Sequence, residues 1–145
     1  MDESKKLAGF LSEVSYNDIN KEVIERTKDL ILDQLGVEIA TSAKPWSLAV
    51  YKYARSFDDS KESTIIRYGD KVKAENAAFV NGTFGHGFEL DDTYLPGNTH
   101  PGAVVIPAAL ALGEREAIDG RSFLVATVAG YEAINRIGRS MAPSC

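Results

Sequence analysis

The chain has 145 residues, of which 44% are hydrophobic and 26% are charged, and its formal net charge is −5. This length and composition predict one globular domain and exclude intrinsic disorder for most of the chain. Because the acidic excess comes without a long block of either sign, the charge pattern excludes a nucleic-acid-binding surface.

The sequence shows no segment suited to a membrane or to secretion. Its longest uncharged apolar stretch, about residues 103–113, contains Pro107 and is shorter than the ~20 residues that a bilayer-spanning helix needs. The first residues lack the basic and then apolar pattern of a signal peptide, so we expect a cytoplasmic protein. The single cysteine, Cys145, allows no internal disulfide and no cysteine-based metal cage.

Apolar residues at helical spacing predict three helices in the first part of the chain. A short helix is predicted over about residues 4–13. A long amphipathic helix follows, with Asn17 or Asp18 as its cap, and ends before Pro45, since the residue preceding proline disfavours the helical region. Pro45 itself suits the first turn of a third helix, which reaches Phe57.

The rest of the chain predicts one short β-element among further helices. The β-branched run that begins at Ser63 predicts a single strand or a hairpin near residues 63–73. A helix is predicted from Ala74, with His86 and Glu89 on it, and a loop follows over about residues 93–102. Two apolar helices, expected to be buried on most sides, are predicted over residues 104–116 and 122–141. The predicted fold is therefore all-α, as a single domain over residues 1–145.

The residues with chemical potential lie around the two histidines of the chain, His86 and His100. On a helix, His86 and Glu89 share one face, so the carboxylate can orient the imidazole and select its tautomer. Asp92 and Thr93 then continue the helix end toward the loop that carries His100. An imidazole beside carboxylates and a hydroxyl can serve as a general acid or base.

Other interpretations of these residues remain open. Asp91 and Asp92 are unfavourable at a helix C-terminus and require compensation, which function or local capping can supply. A metal site could use His86, Glu89, Asp92 and His100 as nitrogen and oxygen ligands for Zn, Mn or Fe. The sequence lacks a His-Glu-x-x-His pattern and a second helical pair of histidine and carboxylate, so we expect no metal and no cofactor.

Several stretches together carry a resemblance to a known family. They are Ala-Ala-Phe-Val-Asn-Gly at 77–82, Asp-Asp-Thr at 91–93, Thr-His-Pro-Gly at 99–102 and the apolar run at 105–112, with residues 32–37 and 130–138 in support. Each stretch is unspecific alone, but their combination resembles the MmgE/PrpD family over nearly the whole chain.

The resemblance implies a function as well as a fold. The family includes 2-methylcitrate dehydratase, cis-aconitate decarboxylase and an iminodisuccinate epimerase, which act on small polycarboxylates by proton transfer next to a carboxylate, with no metal implied. Carried over from the decarboxylase, the active-site acid, threonine and histidine fall on Glu89, Thr93 and His100, while His86 and Asp92 are assigned to substrate binding. Glu89 stands where we expect aspartate, and the loop before His100 is about one residue longer than in the decarboxylase.

The family pairs a large helical domain with a smaller α/β lid, generally as a homodimer, and its members are much longer than this chain. We therefore expect the N-terminal part of the helical domain of a 2-methylcitrate dehydratase-like lyase, without the lid and the later catalytic histidine and lysine segments. The isolated chain is then expected to be inactive, and a homo-oligomer is expected. The alternative is a noncatalytic helical module for oligomerisation or docking, because later chain would ordinarily cover the apolar helices that begin near Val104.

Overall fold

Helices dominate the structure, a computed structural model that describes residues 2–141. The α-helices are α1 (Glu3–Glu13), α2 (Lys21–Thr41), α3 (Pro45–Phe57), α4 (Ala74–Gly85), α5 (Pro101–Arg115) and α6 (Gly120–Met141), with 3₁₀ turns at Tyr16–Asp18 and Leu95–Gly97. The predicted mainly helical class is confirmed. Within the described range, no helix combines the length and the apolar character needed to cross a bilayer.

The start of α2 differs from the prediction. Its cap is Asn20, whose side chain accepts a hydrogen bond of 2.9 Å from the backbone N–H of Val23. The prediction of Asn17 or Asp18 as the cap is wrong, because Asp18 belongs to the preceding 3₁₀ turn. There its carboxylate accepts hydrogen bonds from the backbone N–H and the hydroxyl of Ser15, at 2.9 and 2.6 Å.

The predicted hairpin is present but short. Strands β1 (Ser63–Thr64) and β2 (Lys71–Val72) pair antiparallel, with Ser63 opposite Val72. The following residues leave the extended conformation, since Arg67 adopts a φ of 72°. Asn81 of α4 then ties the hairpin to the helix by accepting a hydrogen bond of 2.9 Å from the Ile66 N–H and donating one of 3.0 Å to the Thr64 carbonyl.

Helix α4 is the centre of the packing, in contact with α2, α3, α5 and the hairpin. The core on its hairpin side consists of small and β-branched residues around one phenyl ring: Ala54, Ile65, Val72, Ala74, Ala77, Val80, Phe84 and Ala111. On its other side α4 lies close to α5, because a Cβ at Gly82 would be 2.9 Å from the carbonyl oxygen of Ala103. The missing side chain therefore permits the contact between these two helices.

The two C-terminal helices are less buried than predicted. Helix α5 buries one side, which includes Ile106 and Ala111, but leaves Val104 60% exposed. Within the described part of α6, Thr127 is the only residue classed as buried. The expectation of burial on most sides is therefore wrong for α6, which is an amphipathic helix on the surface.

Helix α4 ends at Gly85, before the residues with chemical potential. The expected continuation through His86 to Glu89 is wrong, because Glu89 adopts a φ of 54°, which a right-handed helix does not allow. Residues 86–100 form a loop that returns to the start of α5, closed by a hydrogen bond of 2.8 Å from the Tyr94 N–H to the Thr99 carbonyl. The loop and the two helix ends, and not one helical face, therefore position the site.

Candidate active site

The two histidines converge because they lie at neighbouring helix ends. His86 directly follows α4 and His100 directly precedes α5, and their ring centroids are 4.8 Å apart. Between them lies Asp91, whose side chain is fully buried. Nδ1 of His86 is 3.0 and 2.9 Å from the two carboxylate oxygens of Asp91, and Nδ1 of His100 is 3.3 Å from Oδ2.

The two imidazoles contact the Asp91 carboxylate in different ways. His86 forms a hydrogen bond that raises its pKa, against a smaller opposing effect of burial. Its other nitrogen, Nε2, lies 3.2 Å from Oε1 of Glu89, and this charge raises the pKa further. Nδ1 of His100 is buried and makes no hydrogen bond, despite the nearby carboxylate oxygen. The two carboxylates therefore favour the protonated form of His86.

Asp91 lies at the centre of the site, although the sequence left its role open between function and capping. Within residues 2–141, the hydrogen bonds and ion pairs of its carboxylate are with the two imidazoles. A buried carboxylate requires such partners, because removal from water disfavours the charge. The signal in the sequence was its position between the histidines, in a stretch with no lysine or arginine from residue 74 to residue 114.

Asp92 points away from Asp91, toward the start of α5. Its Oδ1 accepts a hydrogen bond of 2.8 Å from the backbone N–H of Gly102, one of the amides that the first turn of a helix leaves without a helical partner. Its charge also lies at the favourable end of the helix dipole. One oxygen of a predicted substrate-binding residue is therefore engaged in holding α5.

Gly102 lies where three polar side chains meet. A Cβ at this position would be 2.6 Å from Oδ1 of Asp92, 3.0 Å from the Tyr131 hydroxyl and 3.1 Å from Oε1 of Gln34. Gln34 in turn donates a hydrogen bond of 3.1 Å to Glu38, and burial raises the pKa of Glu38 to about 7. A buried polar network from α2 and α6 therefore surrounds the helix turn that follows His100.

No role for Gln34 or Tyr131 followed from the sequence, although both lie in the stretches that carry the family resemblance. Burial and the charge of Asp92 raise the pKa of the Tyr131 phenol well above its usual range. The family motifs therefore marked both residues, but the sequence did not indicate that the two motifs come together at Gly102.

The remaining predicted residues lie on the open side of the loop. The Glu89 side chain is 73% exposed and contacts His86 instead of His100. Thr93 is exposed, and within the described range its hydroxyl has no hydrogen-bond partner. The structure thus brings Glu89 and His86 together, while within residues 2–141 no hydrogen bond joins Thr93 to another predicted site residue.

An open cleft of about 710 Å³ adjoins the histidines. Its walls include His86, Thr99, His100, Phe79, Val104 and Ile134. An apolar cleft with a few polar groups at one end is typical of a small-molecule site. A larger groove of about 960 Å³ between α1 and α6 contains none of the predicted site residues.

Comparison with known proteins shows which family this chain resembles. The chain matches the MmgE/PrpD N-terminal domain over residues 5–144. It is 30% identical to the cis-aconitate decarboxylase-like protein oryM of Aspergillus oryzae, covering 94% of this chain and 30% of the relative. It is 29% identical to the cis-aconitate decarboxylase of Aspergillus terreus, over 95% of this chain and 29% of that protein. Identity to the Mus musculus cis-aconitate decarboxylase is 30%, over 92% of this chain and 28% of the mouse protein.

These matches run over nearly the whole of this chain but over a limited part of the relatives. The chain spans about 30% of the length of the curated relatives it matches. The match to the family domain covers residues 5–144, which is nearly the whole of this chain. By this match the resemblance read from the sequence motifs is confirmed, and the chain belongs to the MmgE/PrpD family.

Proposed function

We propose that this chain supplies the N-terminal helical part of a lyase that acts on small polycarboxylates by acid/base proton transfer next to a carboxylate. The observation that carries the proposal is the meeting of His86, Asp91 and His100 at an open cleft beside the start of α5. The substrate class is supported by relatives named cis-aconitate decarboxylase. A 2-methylcitrate-like substrate is the second candidate within the same class.

In this proposal His100 moves the proton. Its Nδ1 is buried beside Asp91, so its Nε2 is the nitrogen left for a ligand in the cleft, and its side chain is 33% exposed. A carboxylate next to one imidazole nitrogen stabilises the imidazolium that forms when the other nitrogen accepts a proton. His100 can therefore take a proton from the substrate and return it at Nε2 without a cofactor.

The neighbouring residues bind the substrate or hold the two histidines in place. His86, whose pKa is raised, offers a positive charge to a substrate carboxylate, and Glu89 orients its ring through Nε2. The exposed Thr93 hydroxyl is available to hydrogen-bond the substrate. Asp92 contributes by holding the first turn of α5, and with it His100, in place.

We further propose that a complete site needs polypeptide beyond residues 1–145. A polycarboxylate requires several cationic or amide donors, and the stretch that holds the site contains no lysine or arginine. The relatives are also about three times as long as this chain. Residues 1–145 would then act as one helical domain within a cytoplasmic homo-oligomer, together with further helical segments and a lid.

The test is a chimaera in which residues 5–144 replace the matching segment of the Aspergillus terreus cis-aconitate decarboxylase. We expect turnover of cis-aconitate or 2-methylcitrate by the chimaera and a loss of at least about 100-fold with His100→Ala. Glu116→Gln, an exposed change away from the cleft, is the matched control and should retain activity. An inactive but folded chimaera, or full activity of His100→Ala, would contradict the proposal.

A second candidate function, a noncatalytic helical oligomerisation or docking module, is favoured by exposed apolar side chains. Leu95 is 82% and Ile137 is 53% exposed, and both belong to the side of the molecule formed by the loop and α6. A groove of about 620 Å³ lies on this side, with Val104 and Ile137 among its walls. A stable oligomer of the chain, combined with an inactive chimaera, would support this function, whereas a monomer in sedimentation experiments would contradict it.

A further inference from the structure

We propose that His86, Asp91 and His100 bind a divalent transition-metal cation such as Zn²⁺. The inference goes beyond the proposed function and does not depend on it. One potential ligand atom from each residue lies within 4.8 Å of the other two. Two imidazole nitrogens and one carboxylate oxygen form a ligand set that suits Zn²⁺, with a further position open to water.

The spacing of the ligand atoms is close to that of a metal site. Nδ1 of His86 and Nδ1 of His100 lie 2.9 and 3.3 Å from Oδ2 of Asp91. Ligand atoms in a tetrahedral zinc site with bonds of about 2.0 to 2.1 Å are about 3.3 Å apart. The two nitrogen–oxygen separations therefore match those of a zinc site to within about 0.4 Å, and all three ligand atoms lie within 4.8 Å of one another.

The charge and the hydrogen bonding of the cluster also favour a cation. The side chain of Asp91 is fully buried, and within residues 2–141 no lysine or arginine forms an ion pair with it. Nδ1 of His100 is buried without a hydrogen-bond partner. A bound cation would neutralise the carboxylate and accept the lone pair of this nitrogen, which satisfies both groups at once.

Glu89 provides the outer contact that metal-binding histidines commonly have. Its Oε1 lies 3.2 Å from Nε2 of His86, the nitrogen that faces away from Asp91. A carboxylate at this position fixes the tautomer of the ring and increases its basicity as a ligand. The ligand set thus differs from the one considered from the sequence, in which Glu89 and Asp92 were themselves ligands.

The cluster is accessible, and its chemistry selects among cations. The side chains of His86 and His100 are 45% and 33% exposed, and both line the open cleft. Imidazole ligands suit Zn²⁺ and Co²⁺, whereas Mg²⁺ and Ca²⁺ prefer oxygen ligands. A bound cation would occupy His100 and would therefore compete with the proposed proton transfer. The cation is thus a ligand of this site and not a cofactor of the proposed reaction.

The test is calorimetric titration of the 145-residue chain with Zn²⁺, in a Cys145→Ser background that removes the one thiol. We expect one Zn²⁺ per chain, weakened by more than about 100-fold in Asp91→Asn or His100→Ala and by about tenfold in Glu89→Gln. Asp29→Asn, an exposed carboxylate on α2, is the matched control and should leave the affinity unchanged. Mg²⁺ at the same concentration should not bind.

A second measurement uses the chain with its binding residues intact. The chain has two histidines, so one equivalent of Zn²⁺ should shift the NMR signals of both rings and then saturate. Circular dichroism verifies that each variant keeps its helices. If Asp91→Asn does not fold, the NMR titration of the chain with intact binding residues provides the test. Absence of Zn²⁺ binding, binding that moves only one ring, or affinity unchanged in folded Asp91→Asn would overturn the proposal.

Discussion

The two sides of α4 differ in how their buried polar groups are partnered. On the hairpin side, burial raises the pKa of Asp58, but hydrogen bonds from Asn76, Lys73 and Ser60 outweigh it and lower this pKa to about 2. On the loop side, His100 Nδ1 and the Tyr131 hydroxyl are buried without a hydrogen-bond partner within the described residues. The buried charge on the hairpin side is therefore stabilised by its partners, although the Ser60 hydroxyl there has none, whereas two buried polar atoms on the loop side have no partner within residues 2–141.

Several apolar residues on the two sides also differ in exposure. Ile65, Val72 and Phe84 on the hairpin side are fully buried, while Leu95 and Val104 on the loop side are largely exposed. Burial of apolar surface is the main source of folding stability, at about 25 cal/mol per Å². We therefore expect these three hairpin-side residues to contribute more to folding stability than the two exposed residues of the loop side, where the proposed site lies.

Phe84→Ala should destabilise the chain more than the other substitutions that follow. The ring is fully buried and packs edge-on against Tyr68, with centroids 6.1 Å apart. We expect a loss of about 3 to 5 kcal/mol in the free energy of unfolding, measured by urea denaturation. Phe79→Ala on the opposite, exposed side of α4 should lose less than about 1 kcal/mol. Equal losses would mean that the two sides contribute alike.

The buried carboxyl group of Glu38 should make the stability of the chain depend on pH. Because burial raises its pKa from 4.5 to about 7, the folded state holds a proton that the unfolded state releases, so stability is highest below about pH 4.5 and falls as pH rises to about 7. The full effect on the free energy of unfolding is about 3 kcal/mol.

Glu38→Gln should remove this dependence and make the chain more stable than the unchanged protein at pH 8. Urea unfolding at pH 5 and pH 8 measures the difference, with the exposed Glu22→Gln as the matched control. An identical pH dependence in the unchanged protein and Glu38→Gln would show that this carboxyl is not the group responsible.

Gly102→Ala tests the close packing of polar side chains around the first turn of α5. The new methyl group would be 2.6 Å from Oδ1 of Asp92, so the polar network must shift, and we expect a loss of about 2 kcal/mol in thermal or urea unfolding. Gly36→Ala is the matched control on α2, where a Cβ meets nothing within 4 Å. It should stabilise the chain by about 0.5 to 1 kcal/mol. A neutral Gly102→Ala would refute the close approach of the three side chains.

The smallest effect is expected at Glu89, whose φ of 54° is unfavourable for a residue with a side chain. Glu89→Gly should be about 1 kcal/mol more stable than Glu89→Ala, since both remove the carboxylate but only glycine removes the backbone strain. Differential scanning calorimetry of the two variants measures this difference. No difference would indicate that the loop around Glu89 readily changes its conformation.

Much of the fold could be predicted from local patterns. The apolar spacing along α2, the proline at the start of α3 and the β-branched run of the hairpin each restrict the backbone nearby, so these elements were predicted close to their observed bounds. The family motifs were equally readable along the chain. Helix ends were less predictable, since the end of α4 at Gly85 depends on the conformation of the loop that follows.

Local patterns along the chain were thus sufficient to predict a helical member of the MmgE/PrpD family, with its chemistry between two histidines. Helix packing places Asp91 against both imidazoles, while the adjacent Asp92 accepts a hydrogen bond from Gly102. It also brings Gln34 and Tyr131 together at that glycine from distant parts of the chain. The physical reason is that periodicity and backbone preferences act over a few residues, whereas the partner of a buried polar group depends on how distant helices pack.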